Sequence, residues 1–226
     1  MIWNHQKTLP SGIPHSSTSL WLVKMNLESL KPEIEANVPG CRLEIIPNPS
    51  PSAQHSLLID PEHAVAIATF LRDAPHLRFD YCSNVTGVDW PAPTPAPDKA
   101  KGTGEAAESA EGPATGHLEV VYHLYSMELK HGPVILRMRT QDRATGVHLP
   151  SLISVWRSVD FQEREVFDLF GVIFDGHPDL RRILMWDEFT DFPMRRDYVE
   201  PDDYEYEPTA HDKVLLKTTQ HHGGTA

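Results

Sequence analysis

Two segments of this chain, 117–127 and 133–140, carry apolar side chains on every second position, the period of a β-strand. The Lys130-His131-Gly132 link between them is short enough for a hairpin, which requires antiparallel pairing. A doubly wound parallel fold would need a helix after nearly every strand. The pattern therefore favours an antiparallel or mixed sheet.

The rest of the pattern adds helices before and after these strands. Further strands are predicted over 42–46, 56–59 and 79–90. Helices are predicted over 27–38, 60–75 and 150–170. Ser29 is the expected cap of the first helix because it places Pro32 in the first turn, and Gly171 is the expected end of the last. We predict an α+β fold, a two-layer domain with a mixed, mostly antiparallel sheet and helices on one face.

Composition divides the chain into three parts. Residues 1–19 are rich in Ser, Pro and His and are expected to form a flexible extension. Residues 20–174 hold the α+β domain, with a Pro/Ala-rich insertion at 91–116 that is expected to be disordered, since it has too little apolar surface to offset its ordering entropy. Residues 175–226 are expected to form an extended, partner-binding strap and tail. The strap has no clear period but many aromatics: Trp186, Phe189, Phe192, Tyr198, Tyr204 and Tyr206.

Several function classes are disfavoured by what the chain contains. A net charge of -12 argues against nucleic-acid binding, which needs a basic face. No apolar run is long enough to span a bilayer and no signal-peptide core is visible, so a cytoplasmic location is expected. Cys41 and Cys82 lie far apart, and no nucleotide or metal motif has the right context. We therefore expect this chain to bind no cofactor or metal itself.

Charge is densest in the run from Glu163 to Phe170 and in the run from His177 to Leu184. Such density is expensive to bury unless each charge has a partner. Three hypotheses are open at this point. The segment is a catalytic cluster, an ion-paired structural lock, or a surface that fits another protein.

The lock is the interpretation that we favour. Glu165 and Asp168 are three apart on the predicted helix and are expected to share a face, and Arg164 can pair with Asp168 four residues on. Because acids and arginines occur in matched number, we expect Arg181 and Arg182 to hold the strap against the helix.

The catalytic alternative is a free-standing acid–base hydrolase. It would use Glu163, Glu165 and His177. His177 can act in proton transfer, but a His-Pro pair also forms turns in which the imidazole bonds the backbone. We favour the turn.

One motif runs from Glu163 to Leu184. It reads Glu-Arg-Glu-x-x-Asp, two apolar residues, six residues, His, three residues and Arg-Arg-Ile-Leu. This order resembles the signature of the C subunit of respiratory complex I, the proton-pumping NADH:quinone oxidoreductase. The resemblance covers roughly 27–198, and Phe192-Pro-Met-Arg-Arg-Asp-Tyr198 extends it. The signature and interface residues that it implies are Glu163, Arg164, Glu165, Asp168, His177, Pro178, Arg181, Arg182, Arg195, Arg196 and Asp197.

The resemblance implies a structural and assembly subunit without catalytic residues. Its implied partners are subunits of the hydrophilic arm, chiefly the D subunit, which forms the quinone pocket, and the neighbouring iron–sulfur subunits. FMN, iron–sulfur clusters and quinone would be bound by other subunits. The implied location is the cytoplasmic face of the bacterial inner membrane, reached only through partners. A related membrane-bound hydrogenase or dehydrogenase uses a similar subunit and remains an alternative.

Overall fold

The computed structural model describes residues 25–92 and 116–199. Its centre is a five-stranded mixed sheet in the order β1-β2-β5-β4-β3, in which only the β2–β5 pair is parallel. The strands are β1 Leu43–Ile46, β2 Ser56–Ile59, β3 Tyr81–Trp90, β4 His117–Ser126 and β5 His131–Arg139. The predicted hairpin between β4 and β5 and the predicted mixed, mostly antiparallel sheet are confirmed.

Three helices form the second layer of the domain. They are α1 Leu27–Asn37, α2 Ala64–Asp73 and α3 Asp160–Phe170. The alternate residues of β4 from Leu118 to Leu124 face this layer and are fully buried, together with Ile34 of α1 and Ile67 of α2. Each such aliphatic side chain contributes about 1.5–3 kcal/mol by leaving water. The predicted α+β two-layer architecture is therefore confirmed, with the helices on one face.

Local chemistry sets where the first two helices begin. Asn26, not Ser29, caps α1, because its side-chain oxygen accepts the Glu28 backbone N–H at 3.0 Å. Pro32 therefore lies inside the helix rather than in its first turn. A 3₁₀ turn over Pro61–His63 follows Asp60, and α2 begins after it at Ala64; the Asp60 side chain makes no capping hydrogen bond.

The predicted helix over 150–170 is shorter in the structure. It begins at Asp160, after a 3₁₀ turn at Arg157–Val159, and the segment before it is irregular. Trp156 is buried there and donates its indole N–H to the Phe79 carbonyl at 2.7 Å. The apolar residues of this segment fill the core from a loop, which a helical period cannot distinguish from a helix.

A small second sheet was not predicted. Strand β6, Val147–Pro150, pairs in parallel with β7, Val172–Asp175, directly before and after α3. Beyond β7, residues 176–199 contain no helix or strand and lie against the domain. None of the helices in the two described ranges is long and apolar enough to cross a membrane.

Several predictions fall on residues that the structure does not describe. The N-terminal extension at 1–19, residues 93–115 of the insertion and residues 200–226 of the tail, with Tyr204 and Tyr206, lie outside the described residues. The insertion interrupts the chain where β3 ends and β4 begins, since Trp90 and His117 are cross-strand partners.

Candidate functional site

The C-terminal end of α3 lies close to the sheet and to the segment that follows. A Cβ on Gly87 of β3 would lie 2.5 Å from the Phe170 ring, so glycine lets the helix approach the strand. Gly171 ends the helix with φ 77°, and a Cβ on it would lie 2.5 Å from the Phe192 ring. This confirms Gly171 as the cap, and it brings residue 192 over the helix end.

Glu163 is fully buried beneath α3. Its carboxylate accepts the Tyr122 hydroxyl at 3.0 Å, the Ser151 hydroxyl at 2.5 Å and the Leu152 backbone N–H at 2.9 Å. Burial raises the pKa of Glu163, although these donors act in the opposite direction. The residue joins the helix, the sheet and the loop before the helix without an arginine partner.

Asp168 is also fully buried, but it faces the C-terminal segment. One carboxylate oxygen accepts three successive backbone N–H groups, those of Ile183 at 3.0 Å, Leu184 at 2.7 Å and Met185 at 2.9 Å. The other oxygen accepts the Arg182 guanidinium at 2.6 Å. Burial pushes the pKa of Asp168 upward, but the backbone N–H groups and Arg182 outweigh it, so the pKa lies below its usual value.

The Arg182 guanidinium contacts a carboxylate, two backbone carbonyls and two aromatic rings. Besides the Asp168 carboxylate, it donates to the Asp168 carbonyl at 3.0 Å and to the Asp191 carbonyl at 3.2 Å. Its guanidinium lies 5.5 Å from the centre of the Phe189 ring and 5.4 Å from that of Phe192. Arg182 therefore connects α3 to two turns of the C-terminal segment.

The predicted lock forms through Arg182 but not through Arg181. The Arg181 side chain is 70% exposed and, within the described residues, pairs with Asp179 at 3.0 Å. The spacing of Arg164 and Asp168 predicted an ion pair between them, and this prediction is wrong. Residues 182–185 bind the Asp168 carboxylate instead. Arg164 lies 3.7 Å from the Asp179 carboxylate and donates to the Arg181 carbonyl at 3.2 Å.

The residues proposed for acid–base catalysis lie in different surroundings. Glu163 is buried beneath the helix, whereas Glu165 is exposed although Asp168, three residues further on, is buried. The His177 side chain is buried: its Nδ1 accepts the Asp179 backbone N–H at 3.2 Å, and its Nε2 lies 3.2 Å from the Asp160 carbonyl. Pro178 follows it at the surface. His177 has the favoured turn-forming contacts with the backbone.

A second anchor holds the end of the described segment. Asp89 at the end of β3 accepts two bonds from Arg143, at 2.5 and 2.6 Å, and the Arg196 backbone N–H at 2.7 Å. Arg143 also pairs with Asp197 at 2.9 Å. Arg195 donates to the carbonyls of Phe170, Arg143 and Ala144 at 2.7, 2.9 and 3.3 Å.

Sequence reasoning missed Asp89 and Arg143 as parts of this site. The signal available was the alternation along β3, which places Asp89 on the same face as the buried Val85 and calls for a partner. The partner itself, 54 residues away, has no local signal.

Large apolar side chains remain exposed around the anchored segment. Phe161 on α3 is 66% exposed, and Leu184 and Met194 on the segment are 59% and 56% exposed. The Leu184 backbone N–H binds Asp168. Asp168 lies about two helical turns along α3 from Phe161. Phe161, Leu184 and Met194 are hereafter called the strap surface.

Among the described residues, Asp60, Glu62 and His63 could bring metal-binding atoms within 4.8 Å of one another. Asp60 already bonds His63 and accepts the Arg42 backbone N–H at 2.8 Å. These contacts account for the arrangement as a helix-start turn.

The fold and the site define a two-layer α+β domain with a C-terminal segment anchored to its last helix. A family model described as "Respiratory-chain NADH dehydrogenase, 30 Kd subunit" matches residues 57–204, which include every signature residue. The chain belongs to this family, and the resemblance seen in its sequence is confirmed.

Curated relatives agree with this assignment. The NADH-quinone oxidoreductase C subunit numbered 2 of Rhizobium meliloti (strain 1021) is 36% identical over 145 residues, 64% of this chain and 65% of the relative. The NADH-quinone oxidoreductase C subunit of Streptomyces coelicolor is 39% identical over 140 residues, 62% of this chain and 47% of the relative. The matched part of the chain thus spans about half to two thirds of these relatives.

The fold also occurs among solved structures. A chain in the structure of the membrane-bound sulfane sulfur reductase, an archaeal respiratory membrane complex, superposes with a TM-score of 0.50 at 18% identity, covering 84% of this chain and 91% of that one. A trypsin-resistant fragment (1-134) of Nqo5 has a TM-score of 0.41 at 24% identity, covering 69% of this chain and all of the fragment.

Proposed function

We propose that this chain is a structural and assembly subunit of the peripheral arm of a proton-translocating NADH:quinone oxidoreductase. It docks on the D subunit, which forms the quinone pocket, and on neighbouring iron–sulfur subunits. FMN, the iron–sulfur clusters and quinone are bound by those other subunits. The chain lies at the cytoplasmic face of the bacterial inner membrane and is held there by its partners.

The observation that carries this proposal is the anchored strap surface. Asp168 and Asp89 fix residues 182–197 to the domain, so the exposed Leu184 and Met194 are held in place before any partner arrives. A preorganised apolar surface loses less conformational entropy on binding than a free tail does. Of the charges that looked catalytic in the sequence, Asp168 and Arg182 serve this anchoring.

Native purification from membranes tests the proposal. A tagged full-length chain should copurify with a flavin-carrying NADH subunit and with the D subunit, identified by mass spectrometry. Deletion of the chain should abolish NADH:quinone activity because the complex fails to assemble. An active, intact complex from the deletion strain would refute the proposal, and copurification with a nickel-site large subunit would support the hydrogenase alternative.

The strap surface can be tested by single charges. Leu184→Asp and Phe161→Asp should lower the recovery of partner subunits, because a carboxylate at the centre of an apolar contact must be desolvated on binding. Val65→Asp is the matched control, since Val65 is also exposed, at 39%, but lies on α2. Equal recovery for all three variants would show that the contact lies elsewhere.

A further inference from the structure

The central sheet ends in β1 on one side and in β3 on the other, and these two edges differ. Side chains from the start of α3 and the turn before it bond the β3 edge. The Gln162 side-chain oxygen accepts the Val85 backbone N–H at 2.6 Å, and the Ser158 hydroxyl donates to the Cys82 carbonyl at 2.8 Å. The protein thus protects this edge with its own groups, as native sheets commonly do.

The β1 edge has open backbone groups. The Asp60 backbone N–H donates to the Arg42 carbonyl at 3.2 Å, so the backbone of Arg42 faces β2. Because the hydrogen-bonding direction alternates along an antiparallel pair, Glu44 also faces β2, whereas Leu43 and Ile45 turn their N–H and C=O groups outward. No residue in the described part of the chain donates to these outward groups or accepts from them.

Two charges of opposite sign accompany the open backbone groups. The Arg42 and Glu44 side chains are exposed, and they share one face of the sheet because they are two residues apart. Neither forms an ion pair within the described residues. A groove of about 410 Å³ beside them is also lined by Leu58, Asp60 and Arg139. Its two arginines and two acids balance, so this edge selects a matched pair of charges rather than one sign of charge.

We propose that an extended segment of a neighbouring subunit adds to β1 as a further strand of the sheet. Main-chain hydrogen bonds to Leu43 and Ile45 supply the attachment, and side chains on alternate positions supply the specificity. The segment carries an acidic side chain beside Arg42 and a basic side chain beside Glu44. The residue between these two is apolar, because it lies on the same face as Leu43 and Ile45, which pack on the core.

A second copy of this chain fits the β1 edge less well than a different chain does. An antiparallel pair that bonds all the outward groups sets the two Glu44 side chains opposite each other, and like charges in that position are destabilising. The other register, which matches opposite charges, brings Ile45 opposite Cys41. The Cys41 N–H already bonds the Val38 carbonyl at 3.3 Å and cannot join the ladder. The occupant is therefore a segment of another protein.

Hydrogen exchange at single residues tests the added strand. The full-length chain is measured alone and within the complex purified from membranes. The Leu43 and Ile45 amides should exchange freely in the isolated chain and about tenfold more slowly, or slower still, in the complex. The Glu44 and Ile46 amides, which bond β2, are the internal control and should change little. The proposal is overturned if the outward amides are unprotected in the complex, already protected in the isolated chain, or slowed no more than the two controls.

The inference rests on the proposed function for the presence of a complex, but the two can fail separately. Failure of the proposed function appears in the copurification, where the partner subunits would be absent. Failure of the added strand appears in the exchange, where Leu43 and Ile45 would stay unprotected although the partner subunits are present.

Photo-crosslinking identifies the segment. Benzoylphenylalanine at position 46, on the same face as Arg42 and Glu44, should crosslink within the complex to a peptide that has an acidic and a basic residue two positions apart and an apolar residue between them. The same probe at Thr86, exposed on β3 at the other edge, gives the background. A crosslink to this chain itself or to a peptide without this pattern overturns the proposal, as does a yield no higher than at Thr86.

A charge reversal completes the test. Arg42→Glu should lower the protection of Leu43 and Ile45 in the complex by about threefold or more, because it sets two acids opposite each other across the added strand. Arg42→Lys should retain most of the protection because it keeps the charge. Arg157→Glu is the matched control: it makes the same charge change at an exposed arginine just before α3. Protection that falls equally with Arg42→Glu and Arg157→Glu, or with neither, overturns the proposal.

Discussion

The Asp168 carboxylate and the Arg182 guanidinium lie 2.6 Å apart, and this ion pair joins the last helix to the segment that follows it. The same carboxylate accepts three backbone N–H groups from residues 183–185. A side chain that was exposed in the unfolded chain is therefore fully buried and fully bonded in the folded one.

We predict that Asp168→Asn weakens the fold of residues 182–197. The amide carries no charge for Arg182 and accepts the N–H groups less strongly, so the free energy of unfolding should fall by about 3–5 kcal/mol, as for other broken buried pairs. Urea unfolding measures the loss, and hydrogen exchange at 183–185 locates it. Glu128→Gln, which affects an exposed pair with Arg78, should cost less than about 1 kcal/mol. Similar losses in both variants would contradict the prediction.

A second prediction concerns Gly171. Gly171→Ala should destabilise the protein in two ways, through the strain of φ 77° and through a Cβ only 2.5 Å from the Phe192 ring. Gly176→Ala has comparable strain, at φ 85°, but a Cβ there meets nothing within 4 Å. Backbone strain of this kind costs about 1–3 kcal/mol. Thermal unfolding should therefore show a larger loss at Gly171, and equal losses would mean that the ring yields easily.

Acid should weaken the second anchor. Burial raises the pKa of Asp89, but Arg143 and the Arg196 N–H lower this pKa by more than burial raises it. The folded pKa therefore lies below the unfolded value of about 3.9. Its stabilisation is thus present above about pH 4 and is lost as pH falls through the folded pKa. Wild type should exceed Asp89→Asn in free energy of unfolding by a constant amount at neutral pH and by less below pH 4.

The control for this pH effect uses the partner. In an Arg143→Met background, the pH-dependent part of the Asp89→Asn difference should shrink, because the charge that lowers the carboxyl pKa is gone. Urea unfolding between about pH 3 and pH 7 measures all four proteins. A pH-dependent difference that survives unchanged without Arg143 would assign the effect to another group.

Glu163 should show the opposite dependence on pH. Burial raises its folded pKa above the unfolded value of about 4.3. The stability that this raised pKa adds to the folded protein is therefore fully present below the unfolded pKa, and it is lost as pH rises through the folded pKa. Relative to Glu163→Gln, which does not titrate, wild type should gain stability as the pH is lowered from neutral towards about 4. Urea unfolding over this range tests it, and a difference that is constant or changes in the other direction would count against the burial argument.

Much of the fold could be predicted because its signals are local. The hairpin between β4 and β5 follows from alternation around a three-residue link, and Asp60-Pro61 marks the start before α2. The β6–β7 pair could not be predicted in this way. Its strands have four residues each, and they meet only because α3 folds back between Pro150 and Val172.

The site was predictable in its residue types but not in its pairings. Arg181 and Arg182 were both expected to hold the strap against the helix, and Asp168 was expected to pair with Arg164. That Asp168 instead binds Arg182 depends on the direction of an irregular backbone. The Asp89–Arg143 pair spans 54 residues, and only the folded sheet brings it together. Glu163 was named in the sequence for the acid–base alternative, and in the structure the core supplies it with hydroxyl and backbone donors.

The groups that hold the segment on Asp168 are main-chain N–H groups of residues 183–185. Every amino acid except proline carries this donor, so the attachment is indifferent to the identity of these side chains. The outward side chain of Leu184 can therefore be exchanged without loosening the segment. A chain built in this way can be refitted to a changed neighbour one substitution at a time, with its own fold left intact.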